Sequence, residues 1–272
     1  MSSLDLKQDD PIPDGVSDKA FYLLRAFLQL DTASTLESTS QSILALLPEK
    51  DPNSTDVWCF GETCIEVAEQ IPYHHPAQLK LVGLLEYLGE STKLGQTYTS
   101  KGAITSRYNR YQRLGESLKE AFTSPDPENP IEYVNFHAFA ANIYERRILG
   151  TDATWAIWAQ REAHEGLKNE QGSVRDAYVL AAAQWIIYYG QSFFKEVIRP
   201  REVSSTDLQY WKPGPLYAGK ADLSLDRWHF WRDGFRAAAS QEVDEKGLRL
   251  ECKNVAAKAA ALMDAFEDNM TF

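Results

Sequence analysis

The sequence predicts an all-α protein. Apolar residues recur at intervals of three and four along most of the chain, which is the spacing of one face of an amphipathic helix. No segment shows sustained alternation of apolar and polar residues, and no Asn-Gly or Asp-Gly turn separates strand-like runs. The pattern predicts a flexible tail over residues 1–15 and a single domain of about ten helices over residues 16–272.

In the first half of the chain, capping residues and prolines mark the helix ends. Ser17 is expected to cap a first helix, and Asp56 precedes an amphipathic pattern that ends at Pro72. The segment from Leu94 to Ser106 is rich in Gly, Ser and Thr and is predicted to be a loop. The apolar faces comprise Phe21, Leu24 and Leu28; Leu36, Ile43 and Leu47; Val57, Phe60, Cys64, Val67 and Ile71; Leu81, Leu84, Leu85 and Leu88; and Tyr108, Tyr111, Leu114, Leu118 and Phe122.

The helices predicted in the second half are longer and more apolar. Pro130 fits the first turn of a helix that runs to about Leu149 and is apolar around most of its circumference, which predicts a buried central position. Ser173 and Ser224 are expected to cap two further helices. The apolar residues of the four helices predicted after Gly150 are Trp155 and Trp158; Val174, Tyr178, Ala181, Trp185 and Tyr188; Leu225, Trp228, Trp231 and Phe235; and Leu248, Cys252, Val255, Ala259, Leu262 and Phe266.

Composition excludes several classes of function. Apolar residues make up 44% of the 272 residues and charged residues 25%, which is typical of a globular protein. The net charge of -11 disfavours nucleic acids and anionic membranes as partners. Three cysteines make neither a disulfide framework nor a zinc quartet. No secretory signal and no apolar run long enough for a bilayer is found, so we expect a cytoplasmic protein.

Motifs for cofactor chemistry are missing from the sequence. It contains no Gly-rich phosphate loop, no His-Glu-x-x-His and no Gly-x-Ser-x-Gly nucleophile elbow. The pair His164-Glu165 lies in the charged stretch from Gln160 to Glu170, which is interpreted as a solvated face. The sequence therefore predicts no metal and no cofactor.

Aromatic residues stand out instead, since the chain has 12 Phe, 7 Trp and 13 Tyr. They either form the core or line a pocket for a bulky apolar ligand. His137 is likewise either a core histidine or a general acid or base in a hydrophobic cleft. Gln184 bonds either to backbone or to a ligand carbonyl. Arg199, Arg201 and Lys212 either solvate a loop or meet a ligand at a pocket mouth.

The pocket interpretation assigns roles to particular residues. The loop over residues 199–222 contains Pro213-Gly214-Pro215, carries several aromatic residues, and is predicted to close over a cavity as a lid that excludes water. The candidate catalytic residues are His137, Gln184 and Tyr188. The candidate substrate-binding residues are Tyr144, Trp155, Trp158, Trp185, Tyr210, Trp211, Trp228 and His229.

Three segments resemble a known family. They are Asn135-Phe136-His137-Ala138-Phe139-Ala140-Ala141, Gly214-Pro215-Leu216 with Leu223 to Trp231, and the Ala-rich run from Ala256 to Met263. They are similar to a fungal all-helical family catalogued as domain of unknown function 3632, some members of which lie beside secondary-metabolite genes. The resemblance implies an all-α single domain and carries over no catalytic residue.

Two hypotheses follow. The first is a cofactor-independent cyclase that holds an apolar polyketide or terpenoid intermediate for a Diels–Alder or hetero-Diels–Alder addition, with dehydration to a quinone methide as a preceding step. The second is a non-catalytic helical scaffold that binds a partner protein; a homodimer is compatible with either hypothesis. The position of the aromatic residues discriminates between them, because a scaffold places them in helix–helix contacts and an enzyme around an enclosed cavity.

Overall fold

The computed structural model describes residues 3–8, 14–98, 107–149, 152–166, 172–199, 204–242 and 249–270, without the side chains of residues 96–98 and 107–110. It confirms an all-α fold, with eleven α-helices and one short π-helix among the described residues. None of the helices described is both long and apolar enough to cross a membrane. The helices are α1 (Val16–Leu28), α2 (Leu36–Leu46), α3 (Thr55–Gln70), α4 (Ala77–Leu88), α5 (Gln112–Ala121), α6 (Pro130–Glu145), α7 (Thr154–Gln160), the π-helix (Arg161–Glu165), α8 (Ser173–Ile198), α9 (Ser205–Tyr210), α10 (Leu225–Ser240) and α11 (Leu250–Met270).

The chain divides into two compact units. The first comprises Met1–Ser124 with Asn142–Thr151, and the second comprises Pro125–Ala141 with Asp152–Phe272. The sequence indicated one domain over residues 16–272 and no boundary between these units.

In the first unit, α1 packs against α2 and α3, and α3 packs against α5. Two lysines complete the ends of the first two helices, whose last carbonyls have no partner within the helix. Lys80 Nζ donates to the carbonyl oxygens of Phe27 and Gln29 after α1. Lys93 Nζ donates to those of Leu44 and Leu47 at the end of α2.

The N-terminal segment differs from the predicted flexible tail. Within residues 3–8, Leu6 is only 2% exposed. The side-chain amide of Gln29 bonds both the N–H and the carbonyl of Leu4, and that of Gln70 bonds both groups of Lys7. The bonded residues are separated by 25 positions in the first case and by 63 in the second, so local sequence composition does not reveal these bonds.

The segment predicted to be a loop contains a strand. Strand β1 (Gly95–Tyr98) pairs antiparallel with β2 (Arg107–Arg110), and the intervening residues 99–106 lie outside those described. The helix predicted from Tyr108 begins at Gln112 instead, because Tyr111 has a φ of 52°. The buried hydroxyl of Tyr111 donates to the carbonyl of Leu85 over 2.6 Å. This tertiary contact holds a backbone conformation that periodicity does not reveal.

In the second unit, α11 packs against both α8 and α10, and α7 packs against α8. The prediction that the helix from Pro130 is among the most buried is confirmed, since every residue from Tyr133 to Tyr144 is buried. The helix ends at Glu145 rather than near Leu149, because Arg147 has a φ of 52°. The N-terminal part of α6, up to Ala141, belongs to this unit.

Candidate functional site

The second unit buries an ion pair at the end of the π-helix. The side chains of Glu165 and Arg227 are both 0% exposed. The Glu165 carboxylate accepts from Arg227 Nε and Nη2 at 2.7 and 3.0 Å, from Trp231 Nε1 at 2.7 Å and from the Gly214 N–H at 2.8 Å. Four donors fill the acceptor capacity of a carboxylate. These bonds offset the free-energy cost of removing both charged groups from water.

This ion pair holds residues 204–217, which we call the strap, in place. Arg227 Nη1 donates to the Trp211 carbonyl over 2.8 Å, and the Leu216 N–H donates to the Glu165 carbonyl over 3.0 Å. Nearer the start of the strap, Arg161 Nη1 donates to the carbonyls of Tyr210 and Lys212. The strap therefore follows α7 and the π-helix through its own backbone groups.

The placement of Glu165 corrects the prediction that His164-Glu165 lies on a solvated face. A π-helical turn contains more residues than an α-helical turn, so it rotates the side chains that follow it relative to the α-helical pattern. The sequence carried one sign of the close approach, the glycine in Pro213-Gly214-Pro215. A Cβ atom at Gly214 would lie 2.5 Å from the Glu165 carbonyl oxygen, so only glycine fits there.

His164 contributes a buried polar atom next to this pair. The residue as a whole is half-buried, but its Nε2 is sealed from solvent and has no hydrogen-bond partner among the described residues. Its ring centroid lies 4.4 Å from that of Phe235. Burial lowers the pKa of His164 from 6.5 to about 3, so the imidazole is neutral at physiological pH.

His137 is fully buried, as the sequence indicated for either interpretation of it. Its Nδ1 accepts the Trp185 indole N–H over 2.8 Å, and the Tyr133 ring lies 4.3 Å away between centroids. Burial lowers the pKa of His137 from 6.5 to about 3. The histidine is therefore a neutral acceptor for a tryptophan in the core.

The other two candidate catalytic residues lie on α8. The side chain of Gln184 is buried and its Nε2 donates to the Leu180 carbonyl of its own helix over 3.1 Å, as the backbone-bonded interpretation anticipates. Tyr188 is half-buried, and burial raises the pKa of its hydroxyl. Gln184 and Tyr188 are one helical turn apart, and Trp185, which contacts His137, lies three residues before Tyr188 on a neighbouring stripe of the same helix side.

Two further predicted substrate-binding tryptophans form hydrogen bonds within the second unit. Trp158 Nε1 donates to the Tyr210 carbonyl over 2.8 Å, and Trp211 Nε1 donates to Thr154 Oγ1 over 2.8 Å. Trp211 is buried, so it fills space beneath the strap. Trp228 is fully buried against α8, and its Nε1 has no hydrogen-bond partner among the described residues.

The remaining candidates are dispersed. His229 Nε2 lies 2.8 Å from a Glu267 carboxylate oxygen of α11, which differs from the predicted position in a cleft with Trp228. Trp155 is half-buried on α7, and the Tyr210 side chain is exposed on α9 rather than turned inward. Tyr144 is buried but belongs to the first compact unit. Of the predicted set, the described contacts join His137 to Trp185 and Trp158 to Tyr210.

Comparison with known proteins identifies one family. The family described as "Protein of unknown function (DUF3632)" matches residues 62–235, which is more than half of the chain. The chain therefore belongs to this family. No curated protein and no solved structure matches it.

Proposed function

We propose that this protein is a non-catalytic helical interaction protein. The observation that supports this function best is the use of the aromatic side chains. The indole N–H groups of Trp185, Trp211 and Trp231 donate to His137, Thr154 and Glu165, all within the protein. A ligand pocket would need these indole rings and N–H groups for the ligand, but here they contact other side chains of the protein itself.

The strap supplies a surface for the partner. Leu208, Tyr210 and Leu216 are 51%, 47% and 49% exposed. In this proposal, these three side chains make the apolar contact with the partner. Because Glu165 and Arg227 fix the backbone of this segment, its side chains lose little further freedom on binding, and preorganisation of this kind favours affinity.

A matched pair of variants tests the proposal. The strap variant carries Leu208→Ser, Tyr210→Ser and Leu216→Ser, and the control variant carries Leu79→Ser and Tyr87→Ser. The control residues are 45% and 49% exposed on α4 in the other unit. We expect a partner isolated with the wild type, then purified and titrated by calorimetry, to bind the wild type and the control but not the strap variant. Equal binding of the purified partner to the two variants would contradict the proposal.

A second candidate is the cofactor-independent cyclase, acting in the cytoplasm on an apolar intermediate of fungal secondary metabolism. Trp228 Nε1 and His164 Nε2 favour it, because both are buried polar atoms without a partner in the described part of the chain. Such atoms call for a ligand group or a bound water. In this proposal they orient a polyketide or terpenoid intermediate for a cycloaddition, and the strap acts as the lid.

Thermal unfolding with a panel of terpenoid and polyketide intermediates tests this candidate. A ligand at a hundred times its Kd stabilises the folded state by about 2.7 kcal/mol. We expect a concentration-dependent rise in Tm for the wild type and a loss of that rise in Trp228→Phe, which removes the indole donor. If no intermediate raises the Tm or is converted to a cyclised product, the cyclase proposal is wrong.

A further inference from the structure

The N-terminal segment, residues 3–8, lies on the first unit as an extended peptide. Leu6 is buried, whereas Asp5 and Lys7 on either side of it are exposed. Alternating burial is typical of an extended chain, in which successive side chains point to opposite faces. Asp5 and Lys7 share the outer face, since Lys7 Nζ lies 3.7 Å from Asp5 Oδ2. The segment therefore directs one apolar anchor to the protein and its charged side chains to solvent.

Two glutamines hold the backbone of this segment. Gln29 Oε1 accepts the Leu4 N–H and Gln29 Nε2 donates to the Leu4 carbonyl, both over 3.1 Å. Gln70 bonds the same two groups of Lys7, each over 2.7 Å. In an extended chain, residues three positions apart direct their backbone groups to opposite edges, so the two glutamines hold the segment from both edges. Such bonds recognise any extended chain, as when a peptide is added to the edge of a sheet.

The two glutamines are also held by their own helices. Gln29 directly follows α1, and its Nε2 also donates to the Arg25 carbonyl over 3.2 Å. Gln70 is the last residue of α3, and its Nε2 also donates to the Glu66 carbonyl over 3.1 Å. Each side-chain amide thus keeps one hydrogen on its own helix and offers the other hydrogen and its oxygen to an extended chain. Preorganisation of this kind favours binding, because little side-chain freedom is lost.

We propose that the two glutamines and the space filled by Leu6 form a peptide-binding site, which we call the glutamine clamp. Its ligand is an extended segment of a partner protein with a leucine or a similar aliphatic anchor, and residues 3–8 occupy it in the free protein. The backbone bonds supply affinity, the anchor supplies specificity, and the outward positions are free to vary. The clamp belongs to the first unit and does not rest on the strap, which belongs to the second.

A partner segment binds the clamp by displacing residues 3–8. Leu6 is the one buried residue of this segment, and these six residues form neither helix nor strand, so local opening is favoured. A tethered segment competes with an effective concentration on the order of millimolar, so a free peptide of the same sequence binds the wild type weakly. Disabling the tethered segment therefore raises the affinity for a free peptide.

Fluorescence anisotropy with a labelled synthetic peptide of residues 3–8 tests the inference on the full chain. The variant Leu6→Ser disables the tethered segment and leaves both glutamines in place. Two further peptides are compared, one with Leu6→Ser and one with Asp5→Ser and Lys7→Ser. Urea unfolding checks that each protein variant is folded. If Leu6→Ser does not fold, Lys7→Pro takes its place, because it removes the N–H that Gln70 accepts and keeps the leucine.

A matched pair of variants tests the role of the glutamines. Both carry Leu6→Ser. The clamp variant adds Gln29→Met and Gln70→Met, and the control adds Gln41→Met and Gln112→Met, which replace two exposed glutamines of the same unit.

We expect the peptide of residues 3–8 to bind Leu6→Ser and the control at least tenfold more tightly than the wild type, and the clamp variant at least tenfold more weakly than the control. The peptide altered at Asp5 and Lys7 should bind as tightly, and the peptide without the anchor leucine should not bind.

The inference is overturned if the peptide binds folded Leu6→Ser no more tightly than the wild type, or binds the clamp variant as tightly as the control. Loss of binding by the peptide altered at Asp5 and Lys7 would also overturn it, because the site would then accept only the chain's own sequence. A concentration-dependent dimer of the wild type in light scattering that Leu6→Ser abolishes would overturn it in favour of exchange between two copies. The strap and its partner are tested by other variants, so the proposed function stands or falls separately.

Discussion

Replacing the buried Glu165 by Met tests how the strap is held. The variant leaves the Arg227 guanidinium buried without its carboxylate, and removal of one partner of a buried pair costs about 3–5 kcal/mol. Because folded domains are stable by about 5–15 kcal/mol, we expect Glu165→Met to remain folded but to unfold at clearly lower urea concentration. The Trp231 and Gly214 N–H groups also lose their acceptor.

The double variant Glu165→Met/Arg227→Met separates charge from packing. It removes both charges, and apolar replacement of an entire buried pair is often neutral or stabilising. The two N–H groups still lack an acceptor, at about 1–3 kcal/mol each, so the double variant remains less stable than the wild type. We expect it to be no less stable than Glu165→Met alone, so the coupling energy in the double-mutant cycle is at least the cost of Arg227→Met alone, about 3–5 kcal/mol.

Urea unfolding of the wild type, Glu165→Met, Arg227→Met and the double variant gives this coupling, and hydrogen exchange reports on the strap. We expect the amides of Gly214 and Leu216, which bond to Glu165, to exchange faster in both variants that lack its carboxylate. Additive effects of the two substitutions, or a loss below about 1 kcal/mol for Glu165→Met, would refute the account of the buried pair.

Three further outcomes are expected. Gly214→Ala should destabilise by about 1–3 kcal/mol and loosen the strap in hydrogen exchange, because its Cβ would lie 2.5 Å from the Glu165 carbonyl oxygen. Gly83→Ala should stabilise by about 0.5–1 kcal/mol in urea unfolding, since nothing lies within 4 Å of its Cβ position in α4; a loss would contradict the helix-entropy argument. The pKa values of His137 and His164 are each lowered from 6.5 to about 3 in the folded state, so their contribution to stability is full above pH 6.5 and is lost as pH falls towards 3. Between these pH values, each histidine should add about 1.4 kcal/mol per pH unit to the increase of the unfolding free energy with pH. His164→Phe should remove one such contribution, as measured by urea denaturation at pH 7, 5.5 and 4.5. An unchanged slope would contradict the lowered pKa.

Periodicity predicted the helices that local sequence determines. Of the three expected caps, Ser224 is confirmed, whereas Ser17 lies within α1 and Ser173 is the first residue of α8. The helix before Pro72 is α3, which is capped by Ser54 and begins at Thr55, one residue before Asp56, and the all-round apolar pattern after Pro130 correctly indicated a buried helix. Helix termini are set by one or two capping bonds, so a shift of this size is ordinary. In both cases the burial pattern itself repeats along the chain and is visible without tertiary information.

The candidate site could not be predicted in the same way. Glu165 is a charged residue in a charged stretch, and only its pairing with Arg227, 62 positions later, makes it a core residue. The aromatic residues were recognised, but the sequence does not say whether an indole N–H such as that of Trp185 meets His137 or a ligand. Long-range hydrogen bonds decide these matters, and hydrophobic periodicity does not report them.

The π-helix has an evolutionary consequence. Deleting one residue between Arg161 and Glu165 would restore a regular α-helix and rotate the glutamate by about 100° away from its partners. Four features therefore depend on one another: the extra residue of the π-helix, Glu165, Arg227 of α10 and Gly214 of the strap. If one of them is lost, the other three no longer hold the strap in place. Relatives that lack the extra residue should also have replaced Arg227 and Gly214, and a lineage that lost the set should have remodelled the entire strap.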